Sequence, residues 1–245
     1  MRKRLLFILL LPFAFFLAAL ACIIFWDRFK PMAQTPEQNK TLAERIAEYG
    51  GPARARLKPF FERAGVAYPP PKVILAGLKA EKALQIYAFD TTNGYRFIRS
   101  YPVLGASGVL GPKLREGDRQ VPEGIYPIES LNPNSRHHIA LKIGYPNAAD
   151  RAQAATEGRT NLGGDIMIHG GSASIGCLAV GDEAAEEVFV LAADTQIENV
   201  TIILSPVDFR AGVSIPEGVK LPEWTAPLYG EIRARLAELP REDKK

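Results

Sequence analysis

Residues 166–182 read IMIHGGSASIGCLAVGD, and they set an alternating apolar run, a glycine-rich turn and two scarce residue types side by side. With Asp165 included, Ile166 and Ile168 fall on one face, and Asp165, Met167 and His169 on the other, the period of a half-buried strand over 165–169. His169 ends that strand. The next seven residues include Gly170, Gly171, Ser172, Ser174 and Gly176, enough backbone freedom for the chain to turn back and bring Cys177 beside His169. The whole chain has three histidines and two cysteines, so their meeting here is conspicuous. A thiol with an ordinary pKa of about 8.5 becomes an efficient nucleophile near neutrality when a base favours its thiolate. Histidine can take that proton and later return it to a leaving group.

The neighbouring residues extend the same chemistry. Gly176 permits a tight backbone in which the amides of Gly176 and Cys177 aim at one oxygen, an oxyanion hole. A partner must also fix the imidazole tautomer. Asp165 lies four strand residues from His169, roughly 13 Å, so the carbonyl of Gly170 or Gly171 is the better candidate. Two other readings stay open at this point. One is a buried, inert cysteine beside a satisfied histidine. The other is zinc held by Cys177, His169 and one of His137 or His138, a set without tight Cys/His spacing. Adjacent residues on a strand face opposite ways, so at most one of His137 and His138 faces a site. The expectation adopted is cysteine acyl chemistry with no metal and no cofactor.

The surrounding chain reads as mainly β with flanking helices. Short β-prone runs occur at 73–76, 83–89, 95–98, 124–128, 139–143, 165–169 and 200–204, with Asn93-Gly94 as a hairpin signal between the second and third. Seven short strands separated by Gly/Pro turns indicate a sandwich or barrel. Residues 41–64 have helical periodicity interrupted at Gly50-Gly51-Pro52, which predicts two short helices. A further helix is expected over 183–193, with Asp182 as N-cap, and another near 228–239. The domain boundaries expected are a membrane anchor or signal sequence over 1–30, a helical linker or cap over 31–70, a catalytic domain over 71–205 and a C-terminal extension over 206–245.

The N-terminus bears on location. Arg2, Lys3 and Arg4 precede an uncharged run over 5–26, long enough for a helix of about 33 Å, which spans a bilayer. Ala19-Leu20-Ala21 offers a cleavage site, and Ala19-Leu20-Ala21-Cys22 a poor lipidation box, but the apolar run continues to Trp26. Each alternative sends the rest of the chain across the membrane. The net charge is +3. The first 30 residues hold five of the 30 basic and one of the 27 acidic side chains, so the remainder is at −1. The basic surplus is a membrane flank and gives no reason to expect a nucleic-acid partner. With Cys22 in the apolar run, Cys177 is the only thiol of the exported part, and a lone thiol in an oxidising compartment points to chemistry rather than a disulfide.

The segment IHGGSASIGCLAV resembles the active-site signature of the L,D-transpeptidase catalytic domain of the YkuD type. The upstream text REGDRQVPEGIYPIESLNPNSRHHIALKIGYPNAADRA is similar to the YafK-like branch of murein L,D-transpeptidases. The likeness runs from about residue 71 to about 204. It implies a β-sandwich-like catalytic domain in which Cys177 forms a thioester with a peptidoglycan stem peptide and His169 moves the proton. It also implies Gly176 with Cys177 as the oxyanion amides and Ser174 as a loop support, while the reading of the residues themselves adds Gly170 as the histidine's partner and Gly171 to the loop. An amine acceptor then yields a cross-link or a lipoprotein anchor, whereas water yields hydrolysis and release of stem peptides or wall-linked lipoprotein. A non-enzymatic wall-binding module is the alternative of another class. Arg136, Arg159, Arg119 and Lys113 are the cations available for stem-peptide carboxylates, and Tyr145 and Asn147 the residues that either line the cleft or shape a turn. The common form of the family has a second histidine where this chain has Ile175, which bears on acceptor specificity. The expected location is the periplasmic face of the inner membrane, or the periplasm after cleavage.

Overall fold

Strand β1 (Val73–Leu78) is buried at every residue, which is why its sequence, VILAGL, is apolar throughout instead of alternating. It pairs antiparallel with β2 (Ala83–Asp90) and parallel with β8 (Val200–Ser205). The remaining strands are β3 (Gly94–Pro102), β4 (Gly124–Ser135), β5 (His138–Ile143), β6 (Met167–His169) and β7 (Leu178–Ala179). In this computed structural model, which describes residues 39–241, the order is β3-β2-β1-β8-β4-β5-β6-β7. The sheet is mixed: β1–β8 and β6–β7 are parallel, the other pairs antiparallel.

Strand β4 changes partner midway. Residues 124–127 pair with β8 and the segment from Ile128 onward with β5, with register shifts at the changeover. Leu104 and Gly105, which leave β3, pair with Ala179 of β7, so the chain running from one end of the strand order meets the other end. The expected mainly β domain with flanking helices is present. The strand expected over 165–169 is shorter, because Asp165 has φ +53° and leaves the extended region before β6 begins.

Two apolar clusters cover the sheet. The larger joins Val73 and Leu75 of β1, Ile139 and Leu141 of β5, Ile168 and Leu178 with helices α1 (Leu42–Ala64) and α3 (Asp182–Thr195). The smaller packs Ile74, Ala76 and Ile203 against α4 (Thr225–Ala237). A fourth helix, α2 (Ala148–Thr156), follows β5. It is opened by a capping box in which Asn147 accepts the Asp150 N–H.

The break expected at Gly50-Gly51-Pro52 is absent; α1 is one helix of 23 residues starting at a Thr41/Glu44 capping box. Packing supplies the reason. Gly50 is buried, and a β-carbon there would come 2.7 Å from Arg54 Nη1. That guanidinium makes two 2.7 Å hydrogen bonds to Asp194 of α3. Leu57 and Phe61, both buried, add core contact that outweighs the weak helix propensity of glycine. Arg56 of α1 and Arg99 and Tyr101 of β3 all converge on Glu187 of α3. The anchor expected over 1–30 and the final residues lie outside the described residues. Among the described residues, no helix is long and apolar enough to cross a membrane.

Candidate active site

The parallel pairing of β6 with β7 aligns Ile168 with Leu178 and His169 with Ala179. Ile168 and Leu178 both enter the larger core cluster. Alternation therefore turns Met167, His169 and Cys177 to the opposite face. Cys177, just before β7, comes level with Met167, two residues before His169.

His169 is buried, and its Nδ1 lies 2.7 Å from the Gly170 carbonyl oxygen. A carbonyl only accepts, so Nδ1 carries the proton and Nε2 keeps a free lone pair. Burial depresses the His169 pKa, the Gly170 carbonyl opposes that, and His137 depresses it further. The His137 ring stacks on His169 with centroids 4.7 Å apart and planes 24° apart. His138, at φ +72°, turns away and meets Glu186 of α3 at 3.0 Å. Of the two adjacent histidines, His137 is thus the one at the site.

The start of the turn after His169 is held by backbone hydrogen bonds. Val180 N–H donates to the His169 carbonyl, Gly170 N–H to that of His137, and Gly181 N–H to that of Gly171. Gly171 N–H donates to Asp182 Oδ1 at 2.8 Å. Asp182 therefore does not cap α3 as expected. Gly181 occupies the N-cap position without a side-chain bond, and the Asp182 carboxylate is engaged by the turn instead. Gly170 has to be glycine because a β-carbon would collide with Asp182 Oδ1 and approach His138 Cβ at 2.9 Å. Gly171 and Gly176 have φ +67° and +81°, a region that costs other residues strain.

Cys177 Sγ accepts the Met167 N–H at 3.4 Å and donates to the Asp165 carbonyl at 3.6 Å. Burial is the main cause of a raised Cys177 pKa. The two amides read as oxyanion donors are both occupied by hydroxyls. Gly176 N–H donates to Ser107 Oγ at 2.7 Å, and Cys177 N–H to Ser174 Oγ at 3.1 Å. Ser174 in turn donates to the Cys177 carbonyl, and Ser107 to that of Arg119. Ser107 escaped sequence reading, and His137 was weighed only as one of two alternative zinc ligands. Ser107 is 69 residues from Gly176 and belongs to no local motif.

The residues read as substrate contacts scatter. Arg136 is exposed in the turn leading to His137. Tyr145 is buried, with its hydroxyl 3.3 Å from the carbonyls of Lys113 and Leu162. Asn147 caps α2 and donates to the Ile125 carbonyl. Arg159 pairs with Glu157 and donates to the Leu114 carbonyl at 2.8 Å. Lys113 is buried against Asp118 at 2.6 Å, and Arg119, at φ +56°, is exposed. Among the described residues, no three His, Cys, Asp or Glu side chains gather to hold a metal ion. A cavity of about 480 Å³ lies under residues 103–110, between Leu178 and the Lys79–Lys82 turn.

A family model of the L,D-transpeptidase catalytic domain, YkuD, matches residues 72–202, which contain all of β1 to β7 and the His169–Cys177 turn. The chain belongs to the YkuD family. Among curated proteins, "Putative L,D-transpeptidase YafK" of Escherichia coli (strain K12) is 41% identical over 113 residues, 45% of this chain and 43% of YafK. YafK of Escherichia coli O157:H7 matches with the same figures. The matched part is thus less than half the length of these relatives. Among solved structures, the helical cell shape determining protein Pgp2 of Campylobacter jejuni is 24% identical, with a TM-score of 0.46 over 56% of this chain and 48% of Pgp2. Bd1075 of Bdellovibrio bacteriovorus is 16% identical, with a TM-score of 0.42 over 68% of this chain and 54% of Bd1075. Residues 72–202 are thus an L,D-transpeptidase-type catalytic domain by family.

Proposed function

We propose that this chain is a cysteine-dependent peptidoglycan L,D-transpeptidase that acylates Cys177 with a stem peptide and passes the acyl group to an amine. The observation that carries the reading is the shared face of β6 and β7. It brings the segments bearing His169 and Cys177 together, with the His169 Nδ1–H fixed on a carbonyl and Nε2 left to act as base, which supports this reading. His169 Nε2 takes the Cys177 proton as sulfur attacks the scissile carbonyl. The tetrahedral intermediate collapses when the imidazolium gives that proton to the departing amine, leaving a thioester. An acceptor amine then attacks, loses a proton to His169, and the thiolate recovers it. The oxyanion takes the Gly176 and Cys177 amides after replacing the Ser107 and Ser174 hydroxyls. No step uses a metal or cofactor. The apolar run over 5–26 supports a membrane-tethered, periplasm-facing enzyme.

Mass spectrometry of muropeptides incubated with the domain tests this reading. New cross-linked or amine-exchanged products that disappear in Cys177→Ser and persist with chelator support it. Shortened or released peptides with no amine incorporation identify a hydrolase, including one releasing wall-linked lipoprotein. An unreactive Cys177 with retained wall binding identifies a binding module.

A further inference from the structure

We propose that Asp182 is a positioning residue of the His169–Cys177 pair, acting on the imidazole through the single peptide group between Gly170 and Gly171. The carbonyl of that peptide accepts the His169 Nδ1–H at 2.7 Å. Its N–H donates to Asp182 Oδ1 at 2.8 Å. The two atoms belong to one resonant, planar unit, so a carboxylate on the N–H draws electron density toward the oxygen and strengthens it as an acceptor. The peptide has little freedom to rotate away, because the carbonyls of His169 and Gly171 and the N–H of Gly170 are each bonded to fixed backbone. Gly170 brings its Cα so close to Asp182 that no β-carbon fits. Asp182 is also free for this role, since it makes no cap bond at the start of α3.

The inference rests on the proposed cysteine chemistry and deepens it. When His169 accepts the thiol proton, its Nδ1–H bond becomes charge-assisted. The Asp182 carboxylate then lies one peptide away from that bond. The carbonyl that serves as the histidine's third partner is thereby an intermediary for a carboxylate. Other ionisable groups face the same pair. His137 stacks on His169, His138 and Glu186 form a pair behind Gly170, and Asp165 and Lys113 act on Cys177. Arg99, Glu183 and Glu187 share with Asp182 a cavity of about 310 Å³.

The test is a histidine titration by nitrogen-15 NMR of the protein carrying Asp182→Asn, with His137→Gln and His138→Gln used to assign signals. Asparagine keeps an oxygen for the Gly171 N–H and removes the charge. The expected result is a His169 pKa lower by about one unit, with the Nδ1–H tautomer retained. Turnover is expected to fall about tenfold with KM little changed, and the acidic limb of the rate profile to move with the NMR value. An unchanged His169 pKa in a folded D182N protein overturns the proposal. Should D182N fail to fold, D182E and D182Q, equal in length and different in charge, give the same comparison. The titration needs no turnover, so a protein without transpeptidase activity refutes the functional reading and leaves the Asp182 result to stand or fall alone.

Discussion

Burial raises the Cys177 pKa and lowers that of His169, so at pH 7 the pair rests as thiol and neutral imidazole. On the proposed chemistry, proton transfer then accompanies attack instead of preceding it. Alkylation of Cys177 by iodoacetamide is expected to accelerate steadily between about pH 6 and pH 9, with no plateau below about pH 8. In His169→Gln the rate near neutrality should collapse. A plateau starting below pH 7 would reveal a preformed thiolate–imidazolium pair. The same shifts bear on folding. A depressed histidine pKa contributes stability above about pH 6.5 that is lost as pH falls through the folded value. A raised thiol pKa favours the folded state until pH rises past about 8.5, the unfolded value, and each contribution should vanish from denaturation curves of the corresponding variant. Gly170→Ala is expected to cost about 1–3 kcal/mol by overpacking against Asp182 and His138, and to abolish labelling at neutral pH, read by urea melts and mass spectrometry.

Between β3 and β4 the chain makes a long excursion over the site, and a buried ion pair pins it down. Lys79 Nζ lies 2.8 Å from Glu123 Oε1 and donates to the carbonyls of Gly111 and Val121. Glu123 also accepts the Gly111 N–H and the Tyr229 hydroxyl of α4. Glu123→Ala leaves Lys79 charged and unpaired, and a loss of about 3–5 kcal/mol is expected in denaturant unfolding. Lys79→Met with Glu123→Leu should recover much of it, because no isolated charge remains. The elements also explain which parts of the structure were legible in the sequence. His169 and Cys177 could be found because scarce residue types marked both ends of one glycine turn. The two residues of β7 are too few to show a period, and Ser107 and His137 reach the site only through long-range pairing. Helix α2 buries just Ala154, so it has no apolar stripe, though its Asn147–Asp150 box was a readable start signal. Helix α1 looked broken because Gly50, which makes room for Arg54, has the appearance of a helix breaker when read locally.

Across the whole molecule, α1 is continuous with the catalytic core. Leu57 and Phe61 lie in the same cluster as Leu75 and Val188, and Arg54 and Arg56 bind α3. A variant beginning at Lys40 is expected to melt as one cooperative unit. One beginning at Val66 loses those side chains and leaves Glu187 with fewer cations, and should be insoluble or melt far lower, measured by calorimetry. Phe61→Ala alone should cost about 3–5 kcal/mol. The junction of residues 104–105 with Ala179 has a further effect. Cys177, the proposed nucleophile, sits beside a seam that closes only when segments more than 70 residues apart in sequence meet. Such high-contact-order pairings carry a large loop-closure entropy cost and form late. On the proposed chemistry, Cys177 is an ordinary thiol without its base until the seam shuts, so reactivity is switched on by the completion of the chain's own folding.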